Sequence, residues 1–136
     1  MRNTITALAV FLAFSAHAED WHSVATSADG VELFSDADSV SFIGHTDSVA
    51  VEGVMKYGNK ETLPPFRARI DTRQCIEDHK GLLTNIFADG TVKEYTWDTK
   101  GHKMFDAQGQ FLCAYAIEVL RQHDRGVKPV VKRIKA

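Results

Sequence analysis

The stretch Asp106-Ala107-Gln108-Gly109-Gln110-Phe111-Leu112-Cys113-Ala114-Tyr115-Ala116-Ile117-Glu118-Val119-Leu120-Arg121-Gln122 decides the architecture, because it has helical periodicity in a chain that otherwise reads as strands. At about 100° per residue, Leu112, Cys113, Ala116, Ile117, Val119 and Leu120 share one apolar stripe, opposite Glu118 and Arg121. Asp106 is placed to cap a helix over about Ala107–Gln122, although Gly109 denies it a full capping box. Gly126 and Pro129 stop it. Cys113 lies inside the stripe, so the helix carries its sulfur towards whatever it packs on.

What it packs on is a sheet. Two Asp-Gly pairs, in Ala28-Asp29-Gly30-Val31 and Ala88-Asp89-Gly90-Thr91, separate strand-like segments. Such pairs signal hairpins, since both turn positions are then expected to tolerate positive φ. The first joins about Trp21–Ala28 to Val31–Ser35, and the second Leu82–Ala88 to Thr91–Trp97. Val40–Ile43 and Ser48–Tyr57 flank a turn at Gly44-His45-Thr46-Asp47. In the longer segment Val49, Val51, Met55 and Tyr57 alternate with Glu52 and Lys56, the period of a strand with one buried face. Pro64-Pro65 cannot donate ladder hydrogen bonds, so a new strand starts at Phe66 and runs to about Glu77.

That strand contains a conflict. Alternation puts Phe66, Ala68, Ile70 and Ile76 on one face, and Arg67, Arg69, Arg73 and Cys75 on the other. Either a bulge between Thr72 and Gln74 shifts the phase, which is the preferred reading, or Cys75 meets its partner on the second face.

The start of the chain tells how to read the cysteines. Met1-Arg2, the apolar run Ile5–Phe14 and Ala16-His17-Ala18 have the three regions of a cleaved signal peptide over residues 1–18. The expected product is one domain over residues 19–136, located in the periplasm or secreted. The apolar run is shorter than the roughly 20 residues of a membrane span, so no stable membrane insertion is expected. Outside the reducing cytosol, Cys75 and Cys113 are expected to form one structural disulfide. Closing a loop of roughly 38 residues contributes about 4 kcal/mol in the chain-entropy model. The expected fold is therefore α+β: a single antiparallel sheet of about six strands, with a C-terminal helix docked on one face by the disulfide.

Charge and motifs narrow the function by exclusion. The formal charge of −2 becomes −3 once Arg2 leaves with the signal, so no overall basic field points to nucleic acid. The tail Lys128, Lys132, Arg133 and Lys135 is basic, and reads as a solvated terminus rather than an anion-binding one. His22, His45, His79, His102 and His123 lack the i, i+2 or i, i+4 spacing that brings two imidazoles to one metal. Asp78-His79 and His123-Asp124 lack a nucleophile motif, and Asp36, Asp38 and Asp47 lack the calcium-loop spacing and read as turn residues. No catalytic residue, metal ligand or cofactor is assigned, and the chain is read as a non-enzyme.

Trp21, the Asp29-Gly30 hairpin, Phe34-Ser35-Asp36 with Ser39, the strand ending at Cys75, Trp97 after the second hairpin and Cys113 in a late helix together resemble the surface-adhesin protein E-like domains of Gram-negative bacteria. The resemblance covers nearly the whole mature chain. It implies an antiparallel sheet with a helix held by a disulfide, surface exposure, and binding of host matrix or plasma proteins. Two departures stand against a direct transfer. The best-known member is a lipoprotein, whereas this chain has no lipidated cysteine, and no binding motif matches residue by residue.

The aromatics leave two readings open. Tyr57, Phe66, Tyr95, Trp97 and Phe105 either line a groove or fill the core that a small sheet needs against one helix. Thr91, Lys93, Tyr95 and Trp97 share a face, so Lys93, Tyr95 and Trp97 form a binding patch if that face is exposed. The resulting expectation is an exported, non-catalytic, adhesin-like binding module for a host matrix or envelope protein, with a homodimer through a sheet edge as one arrangement. The alternative is an envelope protein of small-molecule-binding or inhibitor type that works through a concave pocket.

Overall fold

The structure is a computed structural model and describes residues 20–45, 48–58, 63–124, 126 and 131–133. Residues 1–18, expected as a signal peptide, Thr46 and Asp47 of the expected turn, and Lys128, Pro129 and Lys135 lie outside the described residues. Seven strands, β1 (Trp21–Thr26), β2 (Glu32–Asp36), β3 (Ser41–His45), β4 (Ser48–Tyr57), β5 (Phe66–Asp71), β6 (Lys80–Ile86) and β7 (Val92–Asp98), form one antiparallel sheet. The helix α1 (Met104–Asp124) packs on it, and a short β8 (Val131–Arg133) adds to β3 in parallel. The main strand order is β1-β2-β4-β5-β6-β7, with β3 beside the first half of β4, whose second half pairs with β2.

Both Asp-Gly hairpins form, with a different turn from the one expected. Ser27 N donates to Val31 O and Phe87 N to Thr91 O, each closing a three-residue Ala-Asp-Gly loop. Only the glycines take positive φ, +86° at Gly30 and +89° at Gly90. The Asp residues stay in ordinary backbone space, which is the geometry of a type I turn followed by a glycine bulge.

The Cys75 conflict resolves differently from either expectation. β5 ends at Asp71, and the chain winds into a π-helical segment at Gln74–Asp78 rather than continuing as a bulged strand to Glu77. Asp71 Oδ1 accepts from Gln74 N at 2.9 Å, and His79 ends the segment in the left-handed region at φ 58°. Helical winding turns successive side chains by about 100° or less rather than by the roughly 180° of a strand, so Cys75 faces the core while Ile76, expected inside, lies outside. Cys75 and Cys113 form the disulfide between this segment and α1.

α1 begins earlier than expected. Ala107 N donates to Lys103 O, so the first turn closes on Lys103, and Asp106 is the third helical residue rather than the cap. Its Oδ2 accepts from Lys103 N and its Oδ1 from Asp98 N, both at 2.9 Å. One buried carboxylate thus ties the helix start to the end of β7. Asp106→Ala leaves two backbone donors without acceptors, and a loss of roughly 2 kcal/mol is expected in urea unfolding. Gly126, at φ +92°, ends the helix region, its N donating to His123 O.

The buried stripe of α1 is also displaced. Gln108, Gly109, Leu112, Cys113 and Ala116 are buried, whereas Ile117 is 40% exposed and Val119 and Leu120 are half-buried. Opposite lie Val51, Met55, Phe66, Ala68, Ile70, Leu83 and Trp97 of the sheet. The helix touches both β1 and β7, the two ends of the strand order, so the sheet curls around it. No described helix packs on the other face, where Glu52 Oε2 accepts from Arg69 Nε and Nη2 at 2.8 and 2.6 Å.

Candidate functional site

The expected patch of Lys93, Tyr95 and Trp97 is divided by the helix. All three point to the inner face of β7, but Trp97 is 1% exposed and lies under Gly109. Tyr95 is half-buried and stacks on Phe105, with ring centroids 3.8 Å apart and planes 10° from parallel. Lys93 alone is exposed, because α1 starts at Met104 and covers only the later part of β7.

Beyond the reach of α1 the inner face opens into a cleft of about 350 Å³. Its floor is a file of three rings, Tyr57, Phe66 and Phe87, with successive centroids 5.4 and 5.3 Å apart and tilts of 31° and 38°. Each ring comes from a strand end: Tyr57 closes β4, Phe66 opens β5, and Phe87 follows β6. Leu63 and Pro64 form one wall and the β6–β7 turn, from Ala88 to Thr91, the other. Lys93 stands at the mouth with its ammonium 5.9 Å from the Phe87 centroid, and among the described residues it makes no ion pair. Pro64 read in sequence only as a strand breaker, and Phe87 only as a residue beside a turn. Nothing local indicated that these residues meet.

Two ionisable groups are tuned here. Burial, with a smaller contribution from Tyr95, pushes the Tyr57 phenol above its ordinary value of 10.0. The fold therefore prefers the neutral phenol; its contribution is intact below pH 10.0 and is lost as pH rises through the raised value. Melting temperature is accordingly expected to fall more steeply between about pH 9 and pH 11 for the wild type than for Tyr57→Phe. Equal slopes would remove Tyr57 from the explanation. At the turn, the backbone amide of Thr91, then its hydroxyl, holds the exposed Asp89 carboxyl below the usual 3.8, and Lys93 adds a weaker pull. The Asp89 Oδ1 accepts from Thr91 N at 2.9 Å, which shapes the turn.

The second feature is the free edge of β7, which pairs only with β6 among the described residues. Since Phe87 N donates to Thr91 O, alternation directs the backbone groups of Lys93, Tyr95 and Trp97 to β6 and those of Val92, Glu94, Thr96 and Asp98 outward. Asp98 is already satisfied: its N donates to Asp106, and its O accepts from Gln110 Nε2 at 3.0 Å. Val92, Glu94 and Thr96 present their amides and carbonyls to solvent. Beside them on the open face, Val92 and Leu82 are 55% and 46% exposed.

Among the described residues, the other polar groups singled out in the sequence do not converge on one site. His22 pairs with Asp20 at 3.0 Å, and Asp36 Oδ1 accepts from Asp20 N and Asp38 N at a short 3-10 turn. Among the described residues, no three of His, Cys, Asp and Glu converge in a way that could hold a metal ion. No described helix is long and apolar enough to cross a membrane. Compared with protein-family models, curated proteins and solved structures, the chain matches none.

Proposed function

We propose that the mature chain is an exported, non-catalytic binding module, adhesin-like in capturing a host matrix or envelope protein through its surface. The free edge of β7 carries this reading. An unpaired row of amides and carbonyls is a template on which an extended segment of another protein adds as a further strand. The exposed Val92 and Leu82 offer apolar contact to that segment. The buried disulfide supports an oxidising compartment.

Glu94 bears on the choice of partner. In a symmetric antiparallel pairing of two copies centred on this edge, Glu94 faces its own counterpart, and like charges opposite each other destabilise a strand pair. A homodimer in that register is therefore disfavoured, and a partner strand with a Lys or Arg opposite Glu94 fits better. A second reading, an envelope protein that takes a small molecule into a concave pocket, is favoured by the aromatic cleft.

The edge reading is tested with the mature protein and Thr96→Pro, offered to purified matrix proteins and envelope extracts. Proline at Thr96 removes an outward amide without breaking the ladder to β6. An enriched protein is expected to bind Thr96→Pro about tenfold or more weakly, with unchanged circular dichroism. Enrichment of no macromolecule, or equal binding to both forms, would sink it.

A further inference from the structure

The cleft has an asymmetry that defines a ligand class. Its floor is a file of aromatic rings, and the one cation among its described lining residues, Lys93, stands at the mouth. The rings are tilted by 31° and 38°, so they make a faceted strip rather than a parallel-sided slot for a fused planar ring. The Lys93 ammonium is at the outer limit of a cation–π contact with Phe87 and has no carboxylate within ion-pairing distance among the described residues. At the Tyr57 end of the strip the described lining is Tyr57, Leu63, Pro64 and Phe66, none of them charged at physiological pH. An apolar trough whose described lining is uncharged at the Tyr57 end and carries a lysine at the Phe87 end complements a molecule with a slender apolar body and one anionic head.

We infer that this cleft binds a compact anionic amphiphile of the medium-chain carboxylate type. The chain lies along Tyr57, Phe66 and Phe87, and the carboxylate meets Lys93. The inference rests on the pocket reading and not on the β7 edge. The opposing charge is Asp89, whose Oδ1 is turned to the Thr91 amide and which is fully exposed. Its repulsion weakens the carboxylate contact without cancelling it, because solvent screens an exposed charge.

The volume of about 350 Å³ sets the scale of the body. Each buried methylene contributes through apolar area, so removing two fully buried carbons from a chain that fits is expected to weaken binding by about fifteenfold. The charged head adds less. An exposed ion pair is worth a factor of about three to five.

The test is calorimetric titration of the mature protein with decanoate, octanoate, hexanoate and decanol, with amide chemical shifts followed in parallel. Decanoate is expected to bind in the submillimolar range, to weaken stepwise on shortening, and to shift amides at Tyr57, Phe66, Phe87 and Lys93. Lys93→Gln is expected to weaken decanoate about three- to fivefold and leave decanol within about twofold, while Asp89→Asn tightens decanoate about twofold. Phe87→Leu, which keeps an apolar side chain but removes the ring from the floor, is expected to weaken both ligands. If decanol and decanoate bind alike and Lys93→Gln changes neither, the charge assignment is overturned while the pocket reading stands. If no chain of either kind perturbs these amides, both fall.

Discussion

Cys75→Ala/Cys113→Ala is expected to lose about 4 kcal/mol of stability, the largest effect of any substitution considered. The bridge closes a loop with a sequence separation of 38 residues, which includes β6, β7 and the first half of α1. Without it the unfolded chain regains the freedom of that whole loop. A single domain of this size is stabilised by about 5–15 kcal/mol, so the loss is a large share of the total. In thermal unfolding it corresponds to about 15 °C for roughly 118 residues. Alanine is the proper replacement, since Cys75 and Cys113 are 0% and 2% exposed and a serine hydroxyl would be buried there. The measurement is urea unfolding of the variant beside the wild type with and without reductant. A loss under about 1 kcal/mol would show that the unfolded loop is already constrained without the bond.

The second large effect runs against helix propensity. Gly109→Ala should stabilise an isolated helix by about 1 kcal/mol. Here a Cβ at Gly109 would stand inside the van der Waals shell of the Trp97 indole, against three of its ring atoms. Trp97 is 1% exposed, and the disulfide at Cys113, one turn along, holds the helix down. Overpacking of this kind costs typically 1–3 kcal/mol, and more where the neighbour is rigid, so a net loss of about 2 kcal/mol is expected. Trp97→Leu provides the control. With the indole gone, Gly109→Ala is expected to become neutral or stabilising, a change of sign that a double-mutant cycle reads directly. A loss of the same size in both backgrounds would place the strain elsewhere.

The close approach at Gly109 also explains why part of the helix was misread. An apolar stripe drawn from periodicity counts side chains that gain by burial, and it gave Ile117 a place that the structure denies it. Gly109, which has no side chain, is buried against Trp97, and Gln108 beside it in the chain is buried as well. At the close approach Gly109 meets Trp97, a pairing of residues on different elements that the periodicity of one helix does not contain. Cys75 failed for a related reason. Alternation was the right rule up to Asp71, and the chain then changed to helical winding, whose start is marked locally only by the Asp71 side chain reaching Gln74 N.

Residues close in sequence told the truth about what they determine alone. The two Asp-Gly hairpins, though not their turn type, the alternation through β4, the strand start after Pro64-Pro65 and the presence of a late helix all rest on interactions within a few residues. The disulfide pairing was legible because two cysteines allow one bond. Tertiary structure decided the rest. It placed α1 over Tyr95 and Trp97 but not over Lys93, and so turned one expected patch into a core indole, a stacked pair and an exposed cation. It brought Tyr57, Phe66 and Phe87 together from three strands, with Leu63 and Pro64 beside them, to make a cleft that no contiguous segment encodes. Local rules act through hydrogen bonds and side-chain period along the chain, whereas a cleft exists only where packed elements fail to cover one another. That depends on how far a curled sheet extends past the end of its helix.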